Sequence, residues 1–135
     1  MKITKFTDYA LRTLMFLASN QNTTKLHTSK QIAAFHHISY HHMGKIVHKL
    51  STLGYIESIK GKNGGILLKK HPADIDLKTL FLVLENDLNI VECFDAKTNT
   101  CKIYKNCGLK KILNESLGAF INTLGKYTLK DTLLK

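Results

Sequence analysis

A chain of 135 residues with 44% hydrophobic content can bury the core of one compact unit, and it does not have the composition of a disordered segment. No apolar run approaches the roughly 18–20 residues needed to cross a bilayer, and residues 1–8 have polar residues where a secretory leader would place its apolar stretch, so the expectation is a cytoplasmic chain with no membrane partner. The net charge of +10 is segregated: residues 1–72 hold 11 Lys and Arg against two acids, while residues 73–135 hold 9 against 8.

Residues 6–18 are expected to form a first helix, with Leu11, Leu14, Met15 and Ala18 at helical spacing and Thr7 as its cap. Residues 19–26 are polar and loop-like. Thr28 or Ser29 then caps a short helix carrying Ile32, Ala33 and Phe35. His36-His37-Ile38-Ser39 interrupts the pattern, and Ser39 caps a longer helix with one apolar stripe of Met43, Ile46, Val47, Leu50 and Leu53. Gly54 stops it, as a glycine in the left-handed conformation commonly does. Residues 55–59 alternate like a strand. Gly61-Lys62-Asn63-Gly64-Gly65 supplies a turn tolerant of positive φ, and Ile66-Leu67-Leu68 forms the returning strand.

A second segment begins near Pro72. Asp76 or Asp74 caps a helix through Leu77, Leu80, Phe81 and Leu84. The loop that follows, about twenty residues long, contains Cys93, Cys101 and Cys107; loops of that length in compact domains are usually functional or disordered. The last long helix, 108–126, carries Leu109, Ile112, Leu113, Leu117, Phe120, Ile121 and Leu124, a stripe with no partner nearby in sequence. Thr128-Leu129-Lys130-Asp131 resembles a capping box at the start of a final turn.

Short helix, tight turn, longer helix and glycine-tipped hairpin form the order of a winged helix-turn-helix. The expected fold is mainly α with a small β-hairpin wing, the DNA-reading part spanning residues 1–72 and a loop and dimerisation helix spanning 73–135. The longer helix must dock one face on the core while the other enters a major groove about 12 Å wide. The residues offered to that groove are Ser39, Tyr40, His41, His42 and Lys45. The hairpin tip adds Lys60, Lys62 and Asn63, which suit a minor groove or its flanking phosphates. A basic segment of this kind implies a polyanion, with duplex DNA ahead of an anionic membrane; a merely solvated basic surface is the competing explanation. RNA is disfavoured because the wing lacks interleaved aromatics to stack on unpaired bases.

All seven histidines precede residue 72, and all three cysteines follow it. His37 and His41 stand four apart, but a helix beginning at Ser39 separates them and no cysteine or carboxylate is close, so a solvent- or DNA-facing role is favoured over metal ligation. No cysteine has a recognisable base partner, which argues against an enzyme with a cysteine nucleophile. An odd number of cysteines is not a disulfide framework, leaving metal or cluster ligation, thiol redox chemistry or buried free thiols.

Several strings are similar to those of one family. Phe6-Thr7-Asp8-Tyr9-Ala10-Leu11-Arg12 resembles its opening, His42-Met43-Gly44-Lys45-Ile46-Val47 its recognition helix, and Gly61-Lys62-Asn63-Gly64-Gly65 its wing. The family is that of the winged-helix iron–sulfur repressors that includes IscR and NsrR. The wing, the Asp8 opening and the ending Tyr127-Thr128-Leu129-Lys130-Asp131 are closer to its nitric-oxide-sensing NsrR branch.

The resemblance covers nearly the whole chain. It implies a homodimeric repressor on a palindromic operator, with a four-iron four-sulfur or two-iron two-sulfur cluster on Cys93, Cys101 and Cys107. The gap between the first two cysteines is at the longer end of the family's range. The resemblance also implies a fourth ligand, Asp8 of the partner subunit; the alternative is that Asp8 only complements its helix dipole. A histidine ligand after the third cysteine has no counterpart, since His71 is the last histidine. A thiol redox switch or a zinc site on the same cysteines stays open as the alternative.

Overall fold

A computed structural model describes residues 1–22 and 24–133. Among them are five α-helices and one two-stranded antiparallel sheet: α1 (Lys5–Ser19), α2 (Ser29–His36), α3 (Tyr40–Thr52), β1 (Ile56–Ile59), β2 (Gly65–Leu68), α4 (Leu77–Leu84) and α5 (Gly108–Leu124).

The first helix starts earlier than its apolar spacing suggests. Its cap is Thr4 rather than Thr7: the Thr4 hydroxyl accepts the Thr7 N–H at 3.3 Å, and Thr7 itself is fully buried. The buried face of α1 is Thr7, Ala10, Thr13, Leu14, Leu17 and Ala18, with Leu11 and Met15 half-buried beside it. Thr13 can sit in the core because its hydroxyl donates to the Tyr9 carbonyl at 2.8 Å, so no polar group is stranded.

Thr28 caps α2 through a reciprocal pair with Gln31: the Thr28 hydroxyl accepts the Gln31 N–H at 3.2 Å, and Gln31 Oε1 accepts the Thr28 N–H at 2.8 Å. Ile32 and Ala33 enter the core, but Phe35 stays 67% exposed. His37, at φ 55°, ends the helix in the left-handed region. Ser39 then caps α3, its Oγ accepting the His42 N–H at 3.1 Å. Met43, Ile46 and Leu50 are completely buried along the inner face of α3. Gly54, at φ 81°, turns the chain so that the Tyr55 N–H returns to the Leu50 carbonyl.

Strands β1 and β2 pair with Ile56 opposite Leu68 and Ile59 opposite Gly65. A lone two-stranded hairpin is marginal in water, but Ile56 and Ile66 sink its foot into the core. The Ile66 N–H also donates to the His27 carbonyl at 2.8 Å. A Cβ on Gly65 would lie 2.7 Å from that same carbonyl oxygen, so the close approach requires glycine.

Asp76 caps α4, accepting from both the N–H and the hydroxyl of Thr79. The C-terminal turn Leu129–Thr132 closes back on this cap: the Leu129 N–H donates to the Ile75 carbonyl, and the Leu77 N–H to that of Tyr127. Ile75, Leu80, Leu84 and Leu129 thereby join the same core cluster as Leu14, Ile46 and Leu50. Helix α5 differs: none of its residues is buried. It touches the rest of the chain through Phe120 against Phe81, ring centroids 5.5 Å apart, and through Lys78 Nζ donating to Asn122 Oδ1. No helix among the described residues is long and apolar enough to cross a membrane.

Candidate nucleic-acid interface and cysteine loop

With its inner stripe buried, α3 turns an uncovered face outward. Tyr40, 66% exposed, stands on it with His41, Gly44, Lys45 and His48, and together with Ser29 at the start of α2 they border a shallow groove. Tyrosine, histidine and lysine all donate hydrogen bonds, which complements the acceptors on purine edges and phosphates.

Two of the residues singled out from sequence also make contacts within the fold. Ser39 spends its hydroxyl on the helix cap. His42 is half-buried, with its ring 6.2 Å from Phe6 and edge-on to Tyr9 at 5.3 Å, so it packs α3 against α1. His48 was not anticipated from sequence, although it lies seven residues beyond His41 on the same helical face; that spacing was the available signal. At the wing, Lys60, Lys62 and Asn63 are all exposed.

The four clustered histidines are dispersed by the fold. His36 lies edge-on to both Phe16 and Phe35, and its Nε2 is buried with no hydrogen-bond partner among the described residues. Burial lowers its pKa, the Arg12 charge lowers it further, and Asp8 opposes them. No group of three or more His, Cys, Asp or Glu side chains among the described residues is placed to hold a metal ion.

The chain from α4 to α5 leaves the core at Glu85, only 6% exposed, whose Oε2 accepts the Thr4 N–H at 3.1 Å and lies as close to the Thr4 hydroxyl. Short 3-10 turns at Glu92–Phe94 and Tyr104–Asn106 punctuate it. Internal bonds brace it as well: Thr100 donates to the Glu92 carboxylate, and Asn99 Oδ1 accepts the Cys101 N–H at 3.0 Å. Cys93, Cys101 and Cys107 are free thiols, each half-buried. Cys107 caps α5, its Sγ accepting the Lys110 N–H at 3.4 Å.

Asp8 sits in the first turn of α1, where Arg12 grips it from Nε at 3.1 Å and from Nη2 at 2.7 Å. It also borders a cavity of about 560 Å³ whose apolar walls include Ile3, Leu11, Phe81, Leu88, Leu117 and Phe120. In kind, three accessible thiols are a donor set suited to the soft iron of a cluster.

The family model described as "Rrf2: Iron-dependent Transcriptional regulator" matches residues 3–134. The chain belongs to the Rrf2 family. Among its Rrf2 relatives, the Bacillus subtilis "HTH-type transcriptional regulator NsrR" is 48% identical over 131 residues, covering 97% of this chain and 89% of that protein. The solved structure of CymR, the global cysteine regulator of B. subtilis, superposes with a TM-score of 0.74 at 25% identity, covering 97% of this chain and 95% of that one. T. potens IscR superposes with a TM-score of 0.74 at 19% identity, covering 97% and 85%, which shows the fold alone. This Rrf2 chain is a transcriptional regulator with a winged-helix, DNA-binding fold.

Proposed function

We propose that the chain is a homodimeric cytoplasmic repressor that reads a double-stranded operator with α3 and the wing, and whose affinity for that operator responds to nitric oxide. In this reading residues 1–72 do the DNA work and residues 73–135 the switching and dimerisation. The observation that carries it is α3: its inner face is wholly buried while its outer face is free and rich in donors, in a chain whose relatives include a regulator named NsrR.

Cys93, Cys101 and Cys107, with Asp8 of the partner subunit, would hold an iron–sulfur cluster. When bound, such a cluster supplies iron chemistry reactive toward nitric oxide. The chain's own residues supply the rest. Cys107 would give its thiolate while capping α5, so the loop state and the start of α5 are tied together. Asp8 would have to leave Arg12 to ligate across subunits. Its helix also carries Phe6 and Tyr9, which pack on His42 of α3, so a change at Asp8 is felt by the DNA-facing helix.

The α5 stripe supports the dimer: Leu109 and Ile112 are 61% and 60% exposed, and a second copy would remove them from water.

The test is protein purified without oxygen, assayed for visible absorption, iron and sulfide, then for operator affinity before and after nitric oxide. Coloured protein that loses affinity supports the reading. Coloured protein whose binding is unchanged removes the sensing claim. Colourless protein that binds the operator points to a thiol or zinc switch at the same cysteines.

A further inference from the structure

We infer that Gly44 sets how deeply α3 seats in the major groove, and so determines operator affinity and sequence preference without making a side-chain contact of its own. The inference rests on α3 being the DNA-reading helix.

Glycine in the interior of an exposed helix destabilises it relative to alanine, because it loses more backbone freedom on folding. Such a residue needs a reason within the fold or outside it. Within the fold there is none. Gly44 lies in the middle of α3, and its φ is not among the positive ones, which belong to Gly54, Gly61 and Gly65. A Cβ built on it would meet nothing within 4 Å. At Gly65, by contrast, the same Cβ would collide with the backbone of His27. The chain's own packing would accept alanine at 44.

Outside the fold there is a reason. Gly44 is exposed and lines the same groove as Tyr40, His41, Lys45, Val47 and His48. A helix lying in a major groove contacts base edges with the side chains at its rim, and the residue between them sets the closest approach of its backbone. With no side chain at 44, the edge of a base pair can come against the helix backbone while Tyr40, His41, Lys45 and His48 reach down on either side. Their donors match the O6 and N7 acceptors of guanine and the N7 of adenine. The half-site facing Gly44 is therefore expected to be purine-rich.

The experiment compares full-length wild type, Gly44→Ala and Gly44→Leu. The operator probe is the duplex most enriched by wild-type protein from a random-sequence duplex library; a scrambled duplex serves as control. Thermal unfolding is measured alongside. The expected result is opposite trends. Both variants unfold at a midpoint about 2–5 °C higher, as better helix formers should. The affinity of Gly44→Ala for the selected duplex falls roughly tenfold, and that of Gly44→Leu falls further. Binding to the scrambled duplex changes less than about threefold, since phosphate contacts persist. Repeating the selection with Gly44→Leu should yield a different base preference in the half-site. Variants that bind the selected duplex as tightly as wild type would overturn the inference while leaving the DNA reading intact. Wild type that enriches no duplex would overturn that reading itself.

Discussion

The two ends of this molecule keep their apolar residues in opposite ways. Helix α3 buries Met43, Ile46 and Leu50 completely and lines its outer groove with Tyr40, His41, Gly44, Lys45 and His48 beside a half-buried Val47. Helix α5, four residues longer, buries none. Both have amphipathic sequences, so periodicity alone does not distinguish them. What differs is whether a partner surface exists in the same chain. Helix α3 docks on a core to which α1, α4 and the C-terminal turn all contribute, whereas α5 presents a hydrophobic face that its own chain leaves largely open.

That contrast can be broken from either side. The largest effect is expected at Leu50. Leu50→Ala should cost about 2–5 kcal/mol in denaturant unfolding, because a fully enclosed side chain leaves a cavity between α3 and the rest of the core. A loss below 1 kcal/mol would mean that the buried stripe of α3 does not anchor the shared core.

A smaller effect, confined to DNA, is expected at the wing. Lys62→Ala should weaken binding severalfold on every duplex alike and flatten the dependence of affinity on salt by about one unit of slope. A loss limited to one operator sequence would instead assign Lys62 to base readout.

Smaller again is the pH response. The pKa of His36 is pulled below its ordinary 6.5, chiefly by burial. As pH falls through 6.5 the unfolded chain takes up the proton before the folded one does, so stability is full above that value and declines below it. Unfolding midpoints measured from about pH 7.5 down to 5.5 should fall less for His36→Leu than for wild type. Parallel curves would show that His36 is not the group responsible.

The smallest stability effect belongs to α5. Ile112→Ser should change thermal stability of the isolated chain by no more than about 0.5 kcal/mol, yet sedimentation should show weaker self-association. Unchanged association would move the dimer contact elsewhere.

Features set by a few neighbouring residues were legible from sequence. Thr28, Ser39 and Asp76 cap their helices as expected, and Gly54 stops α3, because each depends on hydrogen bonds or φ values within one turn. Gly61, at φ 110°, and Gly64, tight against the Ile59 carbonyl, are likewise local requirements of the wing turn, whereas Gly65 answers to His27 across the fold. The misreadings arose where tertiary contact decides. Thr7 looked like a cap, but Thr4 took that role and Thr7 went into the core. Thr13 was missed as a core residue because a hydroxyl reads as polar until its bond to the Tyr9 carbonyl is seen. The burial of Glu85 against Thr4, 81 positions away, left no local trace.

The bond from Ile66 to His27 has a further mechanical consequence. The foot of the wing is bolted to the segment that enters α2, and Gly65 removes the slack that a side chain would impose there. The wing and the entry to α2 are therefore fastened to each other at this point. In the dimer proposed above, a signal would loosen the grip on DNA like calipers opening, by altering the span between its two DNA-reading heads.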